Sequence, residues 1–233
     1  MNIAPFLAKG LMELDKAMQG TLKDTQIAGI TESISHFALA SAVASMGAAV
    51  IPGGGGVAAA LAQTGIVWGT YVKINNAIGL SMSDETAKFL GNAIVTNIIT
   101  QFGALLTVHA VTGLLSLLPF AGSALAAAAE GAVGYCLIYA ASNIYIKLIS
   151  RVVKPDGSID VSDANSTKHI IKEILQREDM KGLIKEGAKQ FKEARKNGEL
   201  DSARTALSCP NCGTAYESGD HFCSTCGKDL INQ

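Results

Sequence analysis

Cys209, Cys212, Cys223 and Cys226 lie within the last 25 residues of a 233-residue chain, as two Cys-x-x-Cys pairs separated by ten residues. Each Cys-x-x-Cys turn aims two sulfurs at one point, and two such turns supply a tetrahedral set of four soft ligands. Gly213 and Gly227 follow the two pairs and permit the positive φ that such knuckles commonly need. Zn2+ is the metal this set selects, and with every position filled by protein there is no room for an activated water, so the zinc is structural. The competing readings are a redox Cys-x-x-Cys and an iron–sulfur site, but the redox motif needs a βαβ surround that nothing here suggests. His221, two residues before Cys223, is not needed to complete the set. The fifth cysteine, Cys136, stands alone in an apolar stretch, so the clustering points to metal ligation in a reducing compartment rather than to a disulfide framework.

Residues 208–233 therefore read as a small zinc ribbon. Its Glu217, Asp220 and Asp229 stand against Lys228, and the whole chain has a net charge of −1, neither of which suits a grip on nucleic acid. A protein-contact or capping role fits better. No catalytic constellation accompanies it. The Gly53 to Gly56 run lacks the lysine and hydroxyl of a phosphate loop and reads as a turn, and His36, His109, His169 and His221 are scattered with no local nucleophile. The chain reads as a non-enzyme, with no catalytic residue and no organic cofactor.

The elements that would hold this knob are helices. Residues 1–32 form amphipathic N-terminal helices, with Phe6, Leu7, Leu11, Met12, Leu14 and Met18 at helical spacing; their interleaved charges leave no continuous apolar core for a cleavable leader. Residues 33–154 form an apolar helical-hairpin domain. Ser33 to Val72 is 40 residues without Asp, Glu, Lys or Arg, broken at Pro52-Gly53; Phe89 to Ala129 is 41 more, broken near Pro119 and Gly122. Between them Ser83 caps a new helix. The second hairpin has the roughly 20 residues per helix needed to cross about 30 Å of hydrocarbon. In the first hairpin Ser35–Ile51 and Val57–Val72 are shorter, which suits a re-entrant hairpin or a buried core. The charged ends, 1–32, 73–88 and 147 onward, are expected on one side. Small residues, including Gly65-x-x-x-Gly69, Gly131, Gly134 and Ala140, allow close helix approach in lipid and in soluble bundles alike.

Residues 155–207 form a charged helical linker opening at the turn Pro155-Asp156-Gly157. On it Lys181, Lys185, Lys189, Lys192 and Lys196 share one helical face, while Met180, Leu183, Ile184, Ala188 and Phe191 share another. Such a helix either lies on anionic lipid or packs through its apolar side and leaves the charges in water. His109 and Glu130 are the lone ionisable groups of the second hairpin. In lipid they would pair or mark a polar path; the blander reading is a satisfied core histidine and a glutamate near a helix end.

Ala49-Val50-Ile51-Pro52-Gly53, Tyr71-Val72, Ile78-Gly79-Leu80, Ser83, Leu117-Leu118-Pro119-Phe120-Ala121-Gly122 and Gly131-Ala132-Val133-Gly134-Tyr135 together give residues 40–148 a pattern that resembles the YcjF-like domain of unknown function. That resemblance implies a helical membrane module working beside a dynamin-like or Era-like GTPase. This chain has no GTPase domain and ends in a zinc ribbon, so a GTPase would be a separate partner. The sum is an all-α chain: apolar hairpins, amphipathic helices and a C-terminal ribbon. The expected role is a non-enzymatic assembly or docking module at the bacterial inner membrane, with termini and ribbon facing the cytoplasm. Its expected partners are membrane lipid, a protein met through the ribbon or charged helix, and further copies of itself. The alternative is a cytoplasmic, soluble or conditionally inserting helical oligomer that remodels or permeabilises membranes.

Overall fold

The computed structural model of the chain describes residues 3–48, 55–115, 123–154, 158–159, 161 and 163–206. Among these residues the protein is all-α. Its helices are α1 (Pro5–Ala17), α2 (Asp24–Ala48), α3 (Gly55–Ile78), α4 (Asp84–Leu115), α5 (Ser123–Val152), α6 (Ala164–Arg177), α7 (Met180–Lys196) and α8 (Glu199–Ala206). The only β feature among them is an isolated antiparallel bridge between Val153 and Ile159. The expected turns at 52–54, 118–122 and 155–157, and the whole zinc ribbon, lie outside the described residues.

Short polar side chains set the helix starts. Ser83 Oγ accepts the Thr86 N–H at 3.2 Å, as its position before Asp84-Glu85 predicts. Asp163 accepts from the Asn165 and Ser166 amides ahead of α6, and Asp179 from the Gly182 amide ahead of α7. Each satisfies a backbone donor that the first helical turn leaves without a partner. α3 stops at Gly79, whose φ of +73° would strain any residue with a Cβ.

α2 runs unbroken from Asp24 through Glu32 into the apolar tract, so it is longer than the composition change at residue 33 suggests. With α4 and α5 it is one of three helices that, among the described residues, are long and apolar enough to cross a membrane: Asp24–Met46, Glu85–His109 and Ala127–Val152. The expectation that the first hairpin falls short is corrected for α2. A helix of this length tolerates a few charges near its start without losing apolar character.

α5 is the centre of the fold and contacts α1, α2, α3, α4, α6 and α7. It runs antiparallel to α2 with very close backbones: Gly131 faces Ala42 and Met46, and Gly134 faces Ser41 and Ser45. On the α3 side Tyr145 stacks on Tyr71 with ring centroids 3.7 Å apart. Tyr145 Oη donates to Asn75 Oδ1 at 2.7 Å, and Tyr71 Oη donates to the Ala141 carbonyl at 3.1 Å. These hydroxyls meet acceptors at little cost, so the apolar helix can carry bulky rings without stranding a polar atom. Gly69 sits against Phe37, but Gly65 is exposed and meets nothing within 4 Å. The Gly65-x-x-x-Gly69 pair is therefore not a two-glycine contact.

Candidate metal centre and the sheath around the apolar helix

The four cysteines predicted to bind metal, Cys209, Cys212, Cys223 and Cys226, lie outside the described residues. Their donor set is itself the test of fit: four thiolates in two knuckles would hold Zn2+ in a closed tetrahedral site and supply rigidity, not reactivity. Among the described residues no group of three or more His, Cys, Asp or Glu converges to hold a metal. Cys136 is fully buried on α5 and donates only to the Ile184 carbonyl at 3.8 Å. Burial pushes its thiol up to about 12, so it is an inert core side chain.

The two ionisable groups singled out in the second hairpin part company. Glu130 is exposed on α5. His109 is half-buried on α4 and its Nε2 has no hydrogen-bond partner among the described residues, so it is not the satisfied core histidine expected. Desolvation lowers its pKa, and Lys185 and Lys181 of α7 lower it further. His169 is exposed beside Glu173, and His36 lies edge-on to Phe37.

α7 packs through its apolar side. Met180, Leu183, Ile184 and Phe191 are buried, while Lys181, Lys185, Lys189 and Lys196 are exposed and Lys192 is half-buried. It does not stand away as a linker but lies along α5: Phe191 meets Tyr135, and Gly187 sits against Cys136 and Tyr139. Tyr139 Oη donates to Glu186 Oε1 at 2.5 Å, and the same carboxylate accepts the Phe6 N–H at 3.1 Å. Glu186 thus ties α7 to α5 while placing a negative charge at the N-terminal end of α1, where the helix dipole favours it. Burial and this carboxylate hold the Tyr139 phenol well above its ordinary range.

Further along α5, Gly10 of α1 faces Ile146, and Lys147 pairs with Glu178 between α6 and α7, with Glu13 of α1 at 3.9 Å. Arg151 pairs with Glu173 of α6 at 3.5 Å. The charged helices therefore climb the side of α5 instead of gathering at its charged end. The apolar window of α5 is 94 % buried in consequence, against 39 % for α2 and 33 % for α4. Sequence reasoning missed Lys147, Glu178 and Glu186 as organising residues. Lys147 is visible as the charge that ends the apolar run, but its partner 31 residues on depends on the path of α6.

Compared with known proteins, residues 208–230 match a zinc-ribbon domain family, and all four cysteines fall inside the match. No match to the YcjF-like module accompanies it. No curated protein matches the chain, and no solved structure does.

Proposed function

We propose that the chain is a non-enzymatic, membrane-associated helical docking module of the bacterial inner membrane that seats on the cytoplasmic face without crossing in the arrangement described above. The observation that carries this reading is the sheath. From Tyr135 to Arg151, about 24 Å of α5 at 1.5 Å per residue, the helix is flanked by α7, α1 and α6. The outer sides of those helices carry exposed Lys9, Lys16, Lys172, Lys181 and Lys185. Such charges cannot sit at bilayer depth without a penalty of several kcal/mol. Residues 123–134 remain, about 17 Å of helix, which reaches into one leaflet but not across about 30 Å of hydrocarbon.

In this reading the ribbon holds a structural Zn2+ on Cys209, Cys212, Cys223 and Cys226 and presents a mildly acidic knob to a protein partner. The YcjF-like resemblance adds a separate GTPase as the company such a module keeps, and further copies of the chain are the other expected partner. A second reading, a soluble form that opens to insert α5, draws support from Ser142 Oγ and Asn143 Oδ1. Both are buried on α5 with no partner among the described residues, and such groups weaken the sheathed state.

The deciding experiment combines detergent-free purification, vesicle flotation and sided labelling of Phe120→Cys in intact cells. The expected protein is soluble without detergent, floats with vesicles, and is not modified at residue 120 by an impermeant maleimide from the periplasmic side. Modification from that side would mean that the second hairpin crosses, and the proposal would fall. Dye release from the same vesicles would favour the second reading.

A further inference from the structure

Helices packed side by side normally fill the seam between them with interdigitating side chains. Where α6 passes α4 the seam stays open, as a cleft of about 450 Å³. That volume lies in the range of about 300–1,000 Å³ that holds small molecules, and a single turn of a protein helix would fill it. α4 lines it with Phe89, Asn92, Ala93 and Thr96, spaced three and four residues apart, and α6 with Lys168 and Lys172, one turn apart. Phe89 and Ala93 are half-buried against the core and make an apolar floor, which the lysine stems extend. Asn92, Thr96, Lys168 and Lys172 are exposed at the rim.

The rim groups are unengaged. Asn97, at the far end of the cleft, is occupied: its Nδ2 donates to the Ala93 carbonyl at 2.8 Å and its Oδ1 accepts from Gln101 Nε2 at 3.1 Å. The side chains of Asn92 and Thr96 have no hydrogen-bond partner among the described residues, and Lys172 has no ion pair there. Lys168 has only the Phe89 ring, with Nζ 5.8 Å from its centroid. The acids nearby are turned elsewhere. Glu173 pairs with Arg151 and lies 3.5 Å from His169, and Asp163 caps α6. Glu85, one turn before Phe89, makes no ion pair with either lysine, and α4 carries no acid from Phe89 onward. Two lysines one turn apart repel each other along α6. Two positive charges, two free hydrogen-bonding side chains and an aromatic floor thus converge on one unfilled space.

We propose that this cleft between α4 and α6 binds a small soluble phosphate monoester that carries a flat, apolar body. Lys168 and Lys172 hold the phosphate, whose charge of about −1.5 to −2 at pH 7 matches two ammonium groups. Asn92 and Thr96 offer hydrogen bonds beside it, and the body rests on Phe89 and Ala93. Because Lys168 Nζ stands over the Phe89 ring, an anion drawn to it arrives next to that ring. The mouth lies in water, since Lys168, His169, Lys172 and Arg177 are all exposed along α6; a soluble ligand reaches it without a bilayer. The site does not rest on the membrane-associated reading and adds a ligand to the helical module itself, apart from the ribbon.

The test is calorimetric titration of the full zinc-loaded chain with 1-naphthyl phosphate, and separately with inorganic phosphate and with neutral 1-naphthol. Amide shifts in the nuclear magnetic resonance spectrum locate the probe. 1-Naphthyl phosphate should bind more tightly than either control and move the amides of residues 89–97 and 168–172. Lys168→Gln with Lys172→Gln should weaken it about tenfold. Lys181→Gln with Lys185→Gln, the same charge change on α7, should alter it by less than about twofold. Phe89→Leu should weaken 1-naphthyl phosphate more than inorganic phosphate. The lysines are exposed and the Phe89 change keeps an apolar side chain, so the variants should fold, and circular dichroism checks that they do. The proposal is overturned if no titrant binds, or if the two lysine pairs lose binding equally, which would mean attraction to the protein's charge at large. Either control binding as tightly as 1-naphthyl phosphate would overturn the ligand class. Displacement of the probe by phosphatidic acid in phosphatidylcholine vesicles would assign the cleft to a lipid headgroup and overturn the soluble source.

Discussion

Lys147 shows how a charge is kept inside an apolar helix. Its side chain is 6 % exposed, that of Glu178 is 8 %, and the two are in direct contact, with Glu13 as a more distant second acid. Removing one member of a buried pair leaves the other without compensation and typically costs about 3–5 kcal/mol, whereas replacing both by apolar residues is often close to neutral. Glu178→Ala should therefore lower unfolding free energy by about 3 kcal/mol in urea titration, with Glu13 limiting the loss. Lys147→Met combined with Glu178→Leu should restore most of it. A single variant as stable as the wild type would show that the pair does not secure α6 and α7 to α5. The need for a partner was legible in the sequence, since Lys147 closes a run of uncharged residues. Which acid answers it was not, because several lie in the charged segment and only the turn at Glu178 and Asp179 brings one back to α5.

Helix-to-helix approach separates glycines that share the same sequence signal. A Cβ on Gly134 would lie 2.4 Å from Ser45 Oγ and 2.9 Å from the Ser41 carbonyl oxygen, so α2 and α5 would have to move apart. A Cβ on Gly65 would meet nothing. Gly134→Ala should destabilise by about 1–3 kcal/mol through overpacking, and Gly65→Ala should be neutral or stabilise by up to about 1 kcal/mol through helix propensity. Thermal melting of the two variants checks this, and equal shifts would contradict the α2–α5 contact. Periodicity made the helices themselves readable: the Ser83 start, the two faces of α7 and the apolar hairpins all follow from it. It could not distinguish the two glycines, because spacing gives a face of a helix and not what stands opposite.

At the scale of the whole molecule, the chain combines a helical bundle with a ribbon that carries four of its five cysteines. With Zn2+ on the ribbon, a thiol reagent at pH 8 should find little to react with. Excess chelator should expose four thiols. The fifth, Cys136, is buried on α5 with its thiol pushed up to about 12, so almost no thiolate is present at that pH and it should react only after denaturant is added. The far-ultraviolet helical signal should persist through the chelator step. Simultaneous reaction of all five thiols, or collapse of that signal on chelation, would mean that the bundle depends on the metal. Composition marked the two helices of the second hairpin as able to cross a membrane, and the structure adds α2 to them among the described residues. Composition did not show that one is wrapped along most of its length, since hydropathy measures what a helix could be dissolved in and is silent on which neighbours reach it first.

The central position of α5 also sets a problem of timing. The helix on which α1, α2, α3, α4, α6 and α7 all converge is fifth in chain order. During synthesis α2 and α4 leave the ribosome with their inner sides bare, and the amphipathic helices that close the assembly come last. At about 5–20 residues per second, making residues 123–196 takes on the order of 4–15 s. Through that interval the apolar stretches of α2 and α4 lack the helix they pack against, so chaperones and the membrane insertion machinery would have time to compete for them. The order of elements along the chain thus makes the outcome for these hairpins, water or lipid, partly a matter of which neighbour arrives first.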